Sequence, residues 1–212
     1  MIDLHTTATA NGYKASIMLE EVGLPYQAIN YNLVKGDHFK PEYLAITPVG
    51  RMPAIVDHDS GGRAPVSVYG TAAILFYLAE KTGRFFPTDL ATRAKVYEWV
   101  GVVSSDIGPA YSGQFVFNVL APEKLPWAIE YYDRLCLRLL APLELQLGRT
   151  PYLAGEVYTI ADIIAYPVAA VSMKRFPGSL DAHPNLARWA AEVGARPAVQ
   201  RGMRVGVRPV TE

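Results

Sequence analysis

The sequence is poor in cysteine, in excess charge and in long apolar runs. Its 212 residues contain one cysteine, and 20 Lys and Arg balance 20 Asp and Glu. A single cysteine excludes an internal disulfide and favours a reducing, cytoplasmic location. The charge balance gives no indication of nucleic-acid or anionic-membrane binding. No apolar run reaches the ~18 residues of a spanning helix, and we expect no signal peptide.

Metal chemistry also lacks a sequence pattern. Apart from one histidine in a loop discussed below, His5, His58 and His183 are scattered along the chain, without the short spacings of metal ligands. Half of the residues are hydrophobic and 19% are charged, as in soluble globular proteins. We therefore expect one or two compact domains without a metal.

Residues 1–83 alternate strand and helix patterns. Asn11-Gly12 begins a helical pattern that Gly23 ends, and a second helix is predicted over 71–81. Two short strands flank Ser60-Gly61-Gly62, which indicates a hairpin. The predicted order is strand, helix, strand, short helix, strand, strand, helix, in a small α/β domain.

Residues 84–90 read as a linker, and every strong pattern in 91–212 is helical. A long helix is predicted over 91–118, with a kink or break at Gly108-Pro109. Another helical segment covers 122–148. Thr159 and Asp162 have the spacing of a capping box, and a last clear helix covers 184–195. The second domain is therefore predicted to be all-α.

A proline stands at the start of a short apolar strand, in Arg51-Met52-Pro53-Ala54-Ile55-Val56. Pro53 lacks an N–H, so it can open a strand but cannot lie inside a paired one. Met52 is restricted to extended conformations. Its backbone is then able to pair with a short peptide, as an added strand would.

This layout and its motifs resemble the cytosolic glutathione transferases, in particular the bacterial Nu class and its fungal nitrogen-regulator relatives. The resemblance covers nearly the whole chain. The motifs that carry it are Thr9-Ala10-Asn11-Gly12-Tyr13-Lys14, Leu19-Glu20-Glu21-Val22-Gly23-Leu24, Phe39-Lys40-Pro41-Glu42-Tyr43-Leu44, Pro53-Ala54-Ile55-Val56-Asp57, Tyr77-Leu78-Ala79-Glu80-Lys81-Thr82-Gly83 and Tyr158-Thr159-Ile160-Ala161-Asp162. It implies a thioredoxin-like N-terminal domain over 1–83 and an all-α C-terminal domain over 91–212.

The resemblance implies that Thr9 and Asn11 lie near the sulfur of bound glutathione. A helix N-terminus stabilises a thiolate through its free N–H groups and its dipole. A hydroxyl or amide donor adds a hydrogen bond to the anion. The alternative for Asn11 is a simple helix cap.

Five further residues are implied in glutathione binding: His38, Arg51, Met52, Pro53 and Thr71. The Met52 backbone would pair with the cysteinyl part, across a cis Met52-Pro53 bond. Arg51 would bind a carboxylate, His38 would make a polar contact, and Thr71 would bind the γ-glutamyl end at a helix N-terminus. The alternatives are a solvated loop charge for Arg51 and an exposed loop histidine for His38.

Three positions depart from the family pattern. Gly70 stands where relatives usually carry an acidic or amide residue, Val49 where Nu-class relatives tend to have Asn, and Tyr131 where some have a ligand-contacting Arg. Each lost charge-assisted hydrogen bond weakens binding by about 1.5–3 kcal/mol. We therefore expect weak glutathione binding, because the γ-glutamyl amine lacks an anionic partner at residue 70.

The second domain offers a pocket for another substrate. In relatives, the helix after a Gly-Pro pair lines it, which points to Tyr111 and Phe115 or leaves both in the core. The substrate would be a small apolar electrophile or a disulfide. Cys136 lies on an apolar helical stripe and is expected to be structural, so any thiol chemistry would use the sulfur of glutathione.

The sequence thus predicts a homodimeric glutathione transferase-like enzyme. Glutathione would be its co-substrate, either for conjugation or for thiol–disulfide exchange, with Thr9 and Asn11 as the catalytic residues. The alternative is a non-catalytic or non-glutathione-binding protein on the same scaffold, because fold does not fix function.

Overall fold

The computed structural model describes residues 1–62 and 64–206. The chain forms two compact units. The first contains Met1–Arg84 together with the segment that begins at Arg196, and the second contains Phe85–Ala195. Among the described residues, no helix is both long and apolar enough to cross a membrane.

A four-stranded mixed sheet forms the centre of the first unit. Its strands are β1 (Ile2–Thr6), β2 (Tyr26–Asn30), β3 (Ala54–Asp57) and β4 (Val66–Tyr69). Their order is β2-β1-β3-β4, with β1 parallel to β2 and antiparallel to β3, and with β3 antiparallel to β4. This arrangement confirms the predicted hairpin between the last two strands and the α/β class of the domain.

Three helices complete the N-terminal part of this unit: α1 (Ala10–Val22), α2 (Pro41–Leu44) and α3 (Thr71–Thr82). Gly23 and Gly83 end α1 and α3 in the left-handed region, with φ of 72° and 67°, as helix-ending glycines commonly do. Leu4, Met18 and Leu75 are fully buried between the sheet and these helices. Both predicted helices and the predicted stop at Gly23 are confirmed.

The C-terminal helix α10 (Pro197–Gly202) packs against α1 in the first unit. The sequence pattern predicts no helix here and places these residues in the second domain, within 91–212. Residues far away in sequence hold α10 against α1. Ser16 Oγ donates to the carbonyl of Gly202 at 2.8 Å. Arg196 donates two hydrogen bonds to the Glu21 carboxylate, at 2.6 and 2.9 Å.

The second unit is helical, as predicted. Its α-helices are α4 (Leu90–Val102), α5 (Gly108–Phe115), α6 (Pro126–Arg138), α7 (Leu140–Leu147), α8 (Ile160–Arg175) and α9 (Pro184–Gly194). The segment predicted over 122–148 is thus two helices, α6 and α7.

The long helix does not break at Gly108-Pro109. It continues from α4 to α5 through a π-helical stretch, Val103–Ile107, and then through a second one, Val116–Leu120. Pro109 has no N–H to donate. Immediately before it, the N–H of Gly108 donates to the carbonyl of Val103, which is the wider spacing of a π turn.

The predicted capping box at the start of α8 is confirmed. Asp162 Oδ2 accepts from the backbone N–H of Thr159 at 3.0 Å, and Thr159 Oγ1 accepts from Ala161 N at 3.2 Å. Asp162 Oδ1 also accepts from Leu153 N at 3.0 Å and from the Trp189 indole at 2.9 Å. Asp162 is completely buried, so the box anchors the core of the second unit.

Candidate functional site

Three segments leave the first unit's sheet at the same end. His5 of β1 pairs with Ala54 of β3, which pairs with Tyr69 of β4. The C-terminal ends of β1 and β4 therefore lie beside the start of β3. Most residues that the sequence nominated for the first domain lie on these segments: Thr9, Asn11, Arg51, Met52, Pro53 and Thr71.

Thr9 is the N-cap residue of α1. Its backbone is extended (φ −134°, ψ 162°), and its Oγ1 accepts a hydrogen bond from Gly12 N at 3.2 Å. Capping uses a lone pair of the hydroxyl oxygen and leaves the hydroxyl proton able to donate. Thr9 is only partly buried, so this proton is a candidate donor to a ligand.

Gly12 brings the first turn of α1 against the end of β1. A Cβ at this position would lie 2.1 Å from the carbonyl oxygen of Thr7 and 2.7 Å from Thr6 Oγ1. Both distances are far below van der Waals contact, so residue 12 must be glycine for this approach. The approach fixes where Asn11 stands relative to the sheet.

Asn11 follows the cap and is not the cap itself. Its Oδ1 accepts a hydrogen bond from Lys14 Nζ at 2.9 Å. Lys14 is 1% exposed, and burial lowers the pKa of its ammonium group to about 8. An ammonium only donates, so the oxygen of the Asn11 amide must face it and the NH₂ group must point elsewhere.

Met52 and Pro53 are joined by a cis peptide bond, as expected. Pro53 is buried, and Met52 lies before the first paired residue of β3, Ala54. The prediction that Met52 stands outside the strand ladder is therefore confirmed.

His38 lies in the short 3₁₀ helix Asp37–Phe39, and the loop that carries Arg51 runs beside it. A Cβ on Gly50 would lie 3.1 Å from the carbonyl oxygen of His38 and 3.3 Å from the Phe39 ring, so the two segments are in close contact. Arg51 is exposed. His38 Nδ1 is buried without a hydrogen-bond partner within the described chain, which differs from an ordinary exposed loop histidine.

An aromatic cluster supports the Arg51 loop, and the sequence reading missed it. Tyr43 is fully buried, its ring centre is 4.7 Å from that of Tyr31, and its hydroxyl donates to the Arg51 carbonyl at 2.8 Å. His5 Nδ1 lies 2.8 Å from the Tyr31 hydroxyl, and burial lowers the pKa of His5 despite the opposing charge of Asp3. The cluster joins residues 5, 31 and 43, which are far apart in sequence, so no local pattern indicates it.

No side chain among the described residues caps the start of α3. Gly70 precedes it with φ 85° and ψ 126°, a conformation that side-chain-bearing residues rarely adopt. Thr71 is partly buried at the first helical position. The first-turn N–H groups of α3 can receive a carboxylate, whereas Gly70 offers no side chain to an amine.

The two residues predicted to line a second-substrate pocket, Tyr111 and Phe115, differ in their burial. Tyr111 is 6% exposed, and its hydroxyl hydrogen-bonds to Ser172. It therefore lies in the helical core, and burial raises its pKa. Phe115 is partly buried. Tyr131, one of the departures, is 45% exposed and stacks on the Trp127 ring with centres 5.5 Å apart.

Cys136 is fully buried, and burial raises the pKa of its thiol to about 12, with a smaller contribution from Asp133. A thiol of this kind is neither accessible nor ionised near neutral pH. Across residues 1–62 and 64–206, no group of three His, Cys, Asp or Glu side chains is arranged to hold a metal ion.

Comparison with family models and curated proteins gives consistent matches. Residues 10–81 match the N-terminal domain of glutathione S-transferases, and residues 115–197 match their C-terminal domain. The chain is 39% identical over 205 residues to the disulfide-bond oxidoreductase YfcG of Escherichia coli. That alignment covers 96% of this chain and 94% of the relative.

Solved structures agree with these matches. A glutathione transferase from Burkholderia graminis, with two glutathione molecules bound per subunit, superposes with a TM-score of 0.89 at 33% identity and covers 98% of this chain and 89% of its own. One from Pseudomonas putida, with one glutathione disulfide bound per subunit, gives 0.88 at 31% identity and covers 97% and 92%.

Proposed function

The chain belongs to the glutathione S-transferase family, and from that premise we propose that it activates the thiol of glutathione for thiol–disulfide exchange. Thr9 and Asn11 are the proposed catalytic residues. The observation that carries the proposal is the pair of donors at the start of α1. The Thr9 hydroxyl proton and the Asn11 NH₂ group are both left over from the local hydrogen bonds. Two donors at a helix N-terminus stabilise a thiolate.

The remaining glutathione contacts are proposed along the same edge of the sheet. The Met52 backbone, beside Pro53, pairs with the cysteinyl residue, and Thr71 with the first turn of α3 receives the γ-glutamyl carboxylate. Arg51 and His38 receive the glycine end. The close contact of their segments at Gly50 and the exposure of Arg51 support this assignment.

The exchange needs no protein thiol. The thiolate of one glutathione attacks a sulfur of the disulfide, a new S–S bond forms, and the leaving thiolate takes a proton from water. A second glutathione thiolate attacks this mixed disulfide. The substrate is reduced to two thiols and two glutathione molecules are oxidised to glutathione disulfide. The burial of Cys136 supports a mechanism without a protein nucleophile.

The name of the curated relative and the disulfide bound in the Pseudomonas structure favour exchange over conjugation. Conjugation to a small apolar electrophile uses the same activated thiol, and Phe115 is the proposed residue of the second-substrate pocket. Tyr111 contributes through packing, because its hydroxyl is held by Ser172.

We also propose a cytoplasmic homodimer. A single buried cysteine suits a reducing compartment. On α4, Leu90 is 82% exposed and Tyr97 is 48% exposed, and such apolar surface is suited to an isologous contact between two copies. Sedimentation at micromolar concentration tests this, and a monomer alone would count against it.

The decisive experiment compares Asn11→Ala with the parent in the reduction of a small mixed disulfide by glutathione. Losing one charge-assisted hydrogen bond to the thiolate should slow turnover by about tenfold to a hundredfold. Cys136→Ser is the control and should keep parental activity. If the Cys136→Ser variant folded but lost activity, the Cys136 thiol would have to take part in the reaction.

Titration with glutathione and with its disulfide addresses the alternative, a non-catalytic protein on the same scaffold. Gly70 favours that alternative because it provides no partner for the γ-glutamyl amine. We expect weak but measurable binding of both ligands. A parent protein that binds neither ligand and reduces no disulfide would establish the non-catalytic reading.

A further inference from the structure

Lys14 is a buried ammonium group without a carboxylate partner in the described part of the chain. It is 1% exposed, and its Nζ donates a hydrogen bond to Asn11 Oδ1 at 2.9 Å. Lys81 is different, since its side chain is 23% exposed and its ammonium group pairs with the buried Asp57 carboxylate at 2.6 Å. A buried charge that faces only a neutral amide needs a reason, because ions are rarely buried unpaired.

The direction of this hydrogen bond decides how the amide is turned. The two ends of an Asn side chain are similar in shape, and a free Asn would present either its oxygen or its NH₂ group to a ligand. An ammonium only donates, so it accepts one orientation and excludes the other. With Lys14 in place, the oxygen of Asn11 is engaged and the NH₂ group is the end left for the ligand.

This orientation matters for an anion. A thiolate accepts hydrogen bonds and is repelled by a carbonyl oxygen, so a flipped amide would oppose the very species it should stabilise. Because Asn11 lies in the first turn of α1, next to the N-cap Thr9, the correct orientation adds a side-chain donor to the positive end of the helix.

We propose that Lys14 is a positioning residue that locks the Asn11 amide with its NH₂ group toward the sulfur of glutathione. The inference rests on the proposed function, since it takes the ligand at Asn11 to be the glutathione thiolate. Lys14 itself does not touch the ligand and acts through Asn11. What the site requires of residue 14 is a hydrogen-bond donor to the Asn11 amide oxygen.

Two variants separate the donor from the charge. Lys14→Met removes both with little change in length, whereas Lys14→Gln removes the charge but keeps an N–H donor that can bond to Asn11 Oδ1. Burying an ion without a charged partner is costly, so an apolar side chain of similar length should be accommodated at residue 14, and Lys14→Met should fold. Thermal unfolding of each variant checks this.

We expect Lys14→Met to lower kcat for disulfide reduction by about tenfold and to raise the pKa of the bound glutathione thiol by about one unit. The thiolate absorbance of the protein–glutathione complex measures that pKa. The dissociation constant of glutathione disulfide, which has no thiol, should change by less than about twofold, since the backbone and carboxylate contacts are untouched. Lys14→Gln should recover most of the lost rate.

A double-mutant cycle shows whether Lys14 acts through Asn11. In an Asn11→Ala background, Lys14→Met should have no further effect on kcat or on the thiol pKa. Additive losses would overturn the proposal, because they would assign Lys14 a separate role. Failure of Lys14→Gln to recover the rate would also overturn it, in favour of a purely electrostatic effect.

Asn11→Asp provides an independent test should both Lys14 variants fail to fold. It keeps an oxygen toward Lys14 but removes the NH₂ donor and adds a negative charge, so it should lose at least as much activity as Asn11→Ala. Parental activity in Asn11→Asp would refute the orientation argument. A different pattern marks failure of the proposed function itself: Thr9→Ala and Asn11→Ala would then match the parent, whose bound glutathione would keep its solution pKa.

Discussion

The two threonine-capped helices, α1 and α8, begin in similar ways and are used differently. Both N-cap residues are extended, and both accept a backbone hydrogen bond through their hydroxyl groups. At α8 the box is closed, because the Asp162 carboxylate is buried and receives donors from Thr159, Leu153 and Trp189. At α1 the start remains open: Thr9 and Asn11 are partly exposed, and within residues 1–62 and 64–206 the hydrogen bonds described above leave each of them a donor. A helix start whose polar groups are all satisfied supports the fold, whereas one with donors to spare can bind an anion.

The largest effect on stability should come from removing the Asp162 carboxylate, which closes the capping box of α8. Asp162→Ala leaves the N–H groups of Leu153 and Thr159 and the Trp189 indole without their acceptor in the core. Each buried donor left unpaired costs about 1–3 kcal/mol, so the free energy of unfolding should fall by about 4 kcal/mol. Chemical denaturation of the variant measures this.

Thr159→Ser is the matched control for Asp162→Ala. It keeps the capping hydroxyl and should stay within about 1 kcal/mol of the parent. A similar, large fall in the free energy of unfolding in both variants would mean that packing around residue 159 decides stability. The satisfied hydrogen bonds of the box would then not explain the difference between the two helix starts.

The two helix starts also show which features can be predicted from the sequence. The Thr159–Asp162 spacing, the glycine stops and the Pro53 position are local patterns with local causes, and the structure agrees with each. Burial of a polar residue is different, because it depends on what packs over it. Lys14 reads as an ordinary helical lysine in sequence, and only the fold shows that it is enclosed and bonded to Asn11.

The same limit applies to the long-range contacts. The Tyr43 hydroxyl reaches the Arg51 carbonyl, and α10 reaches back to Ser16 across the whole chain. Neither contact produces a local pattern that could be recognised in the sequence. At Gly108-Pro109 the sequence predicts a kink or a break, and the structure excludes the break, because the helix continues through a π-helical stretch. A proline signals the lost hydrogen bond but does not decide between these two outcomes.

An intermediate effect should appear in the pH dependence of stability, with opposite signs at the two starts. Burial raises the pKa of Asp162 to about 6 against the opposing hydrogen bonds of Leu153, Thr159 and Trp189. The folded state then holds the proton more tightly than the unfolded state. Stability from this group is therefore present at low pH and is lost as the pH rises from about 4 to about 6.

At the open start the sign is reversed. Burial lowers the pKa of Lys14 to about 8 from 10.5, so the unfolded state binds the proton more tightly. Stability should therefore rise between pH 8 and 10.5, by about 3 kcal/mol for a shift of this size. Unfolding free energies of Lys14→Met and Asp162→Asn, each subtracted from the parent across pH, isolate the two groups. An alkaline rise that survives in Lys14→Met would show that another group causes it.

The smallest effect, and the one that tests both uses of a cap at once, should come from Thr9. Thr9→Ala removes the oxygen that accepts from Gly12 N, which should lower the free energy of unfolding by about 1 kcal/mol. It also removes the hydroxyl proton proposed to donate to the thiolate. Thr9→Ser keeps both groups and is the control. Thr9→Asp separates them: a carboxylate caps α1 as well as a hydroxyl does, but it cannot donate and it repels an anion. Stability should return in Thr9→Asp while turnover falls below that of Thr9→Ala. If turnover instead followed stability through all three variants, Thr9 would serve α1 only as Thr159 serves α8, and Asn11 alone would remain as the donor to the sulfur.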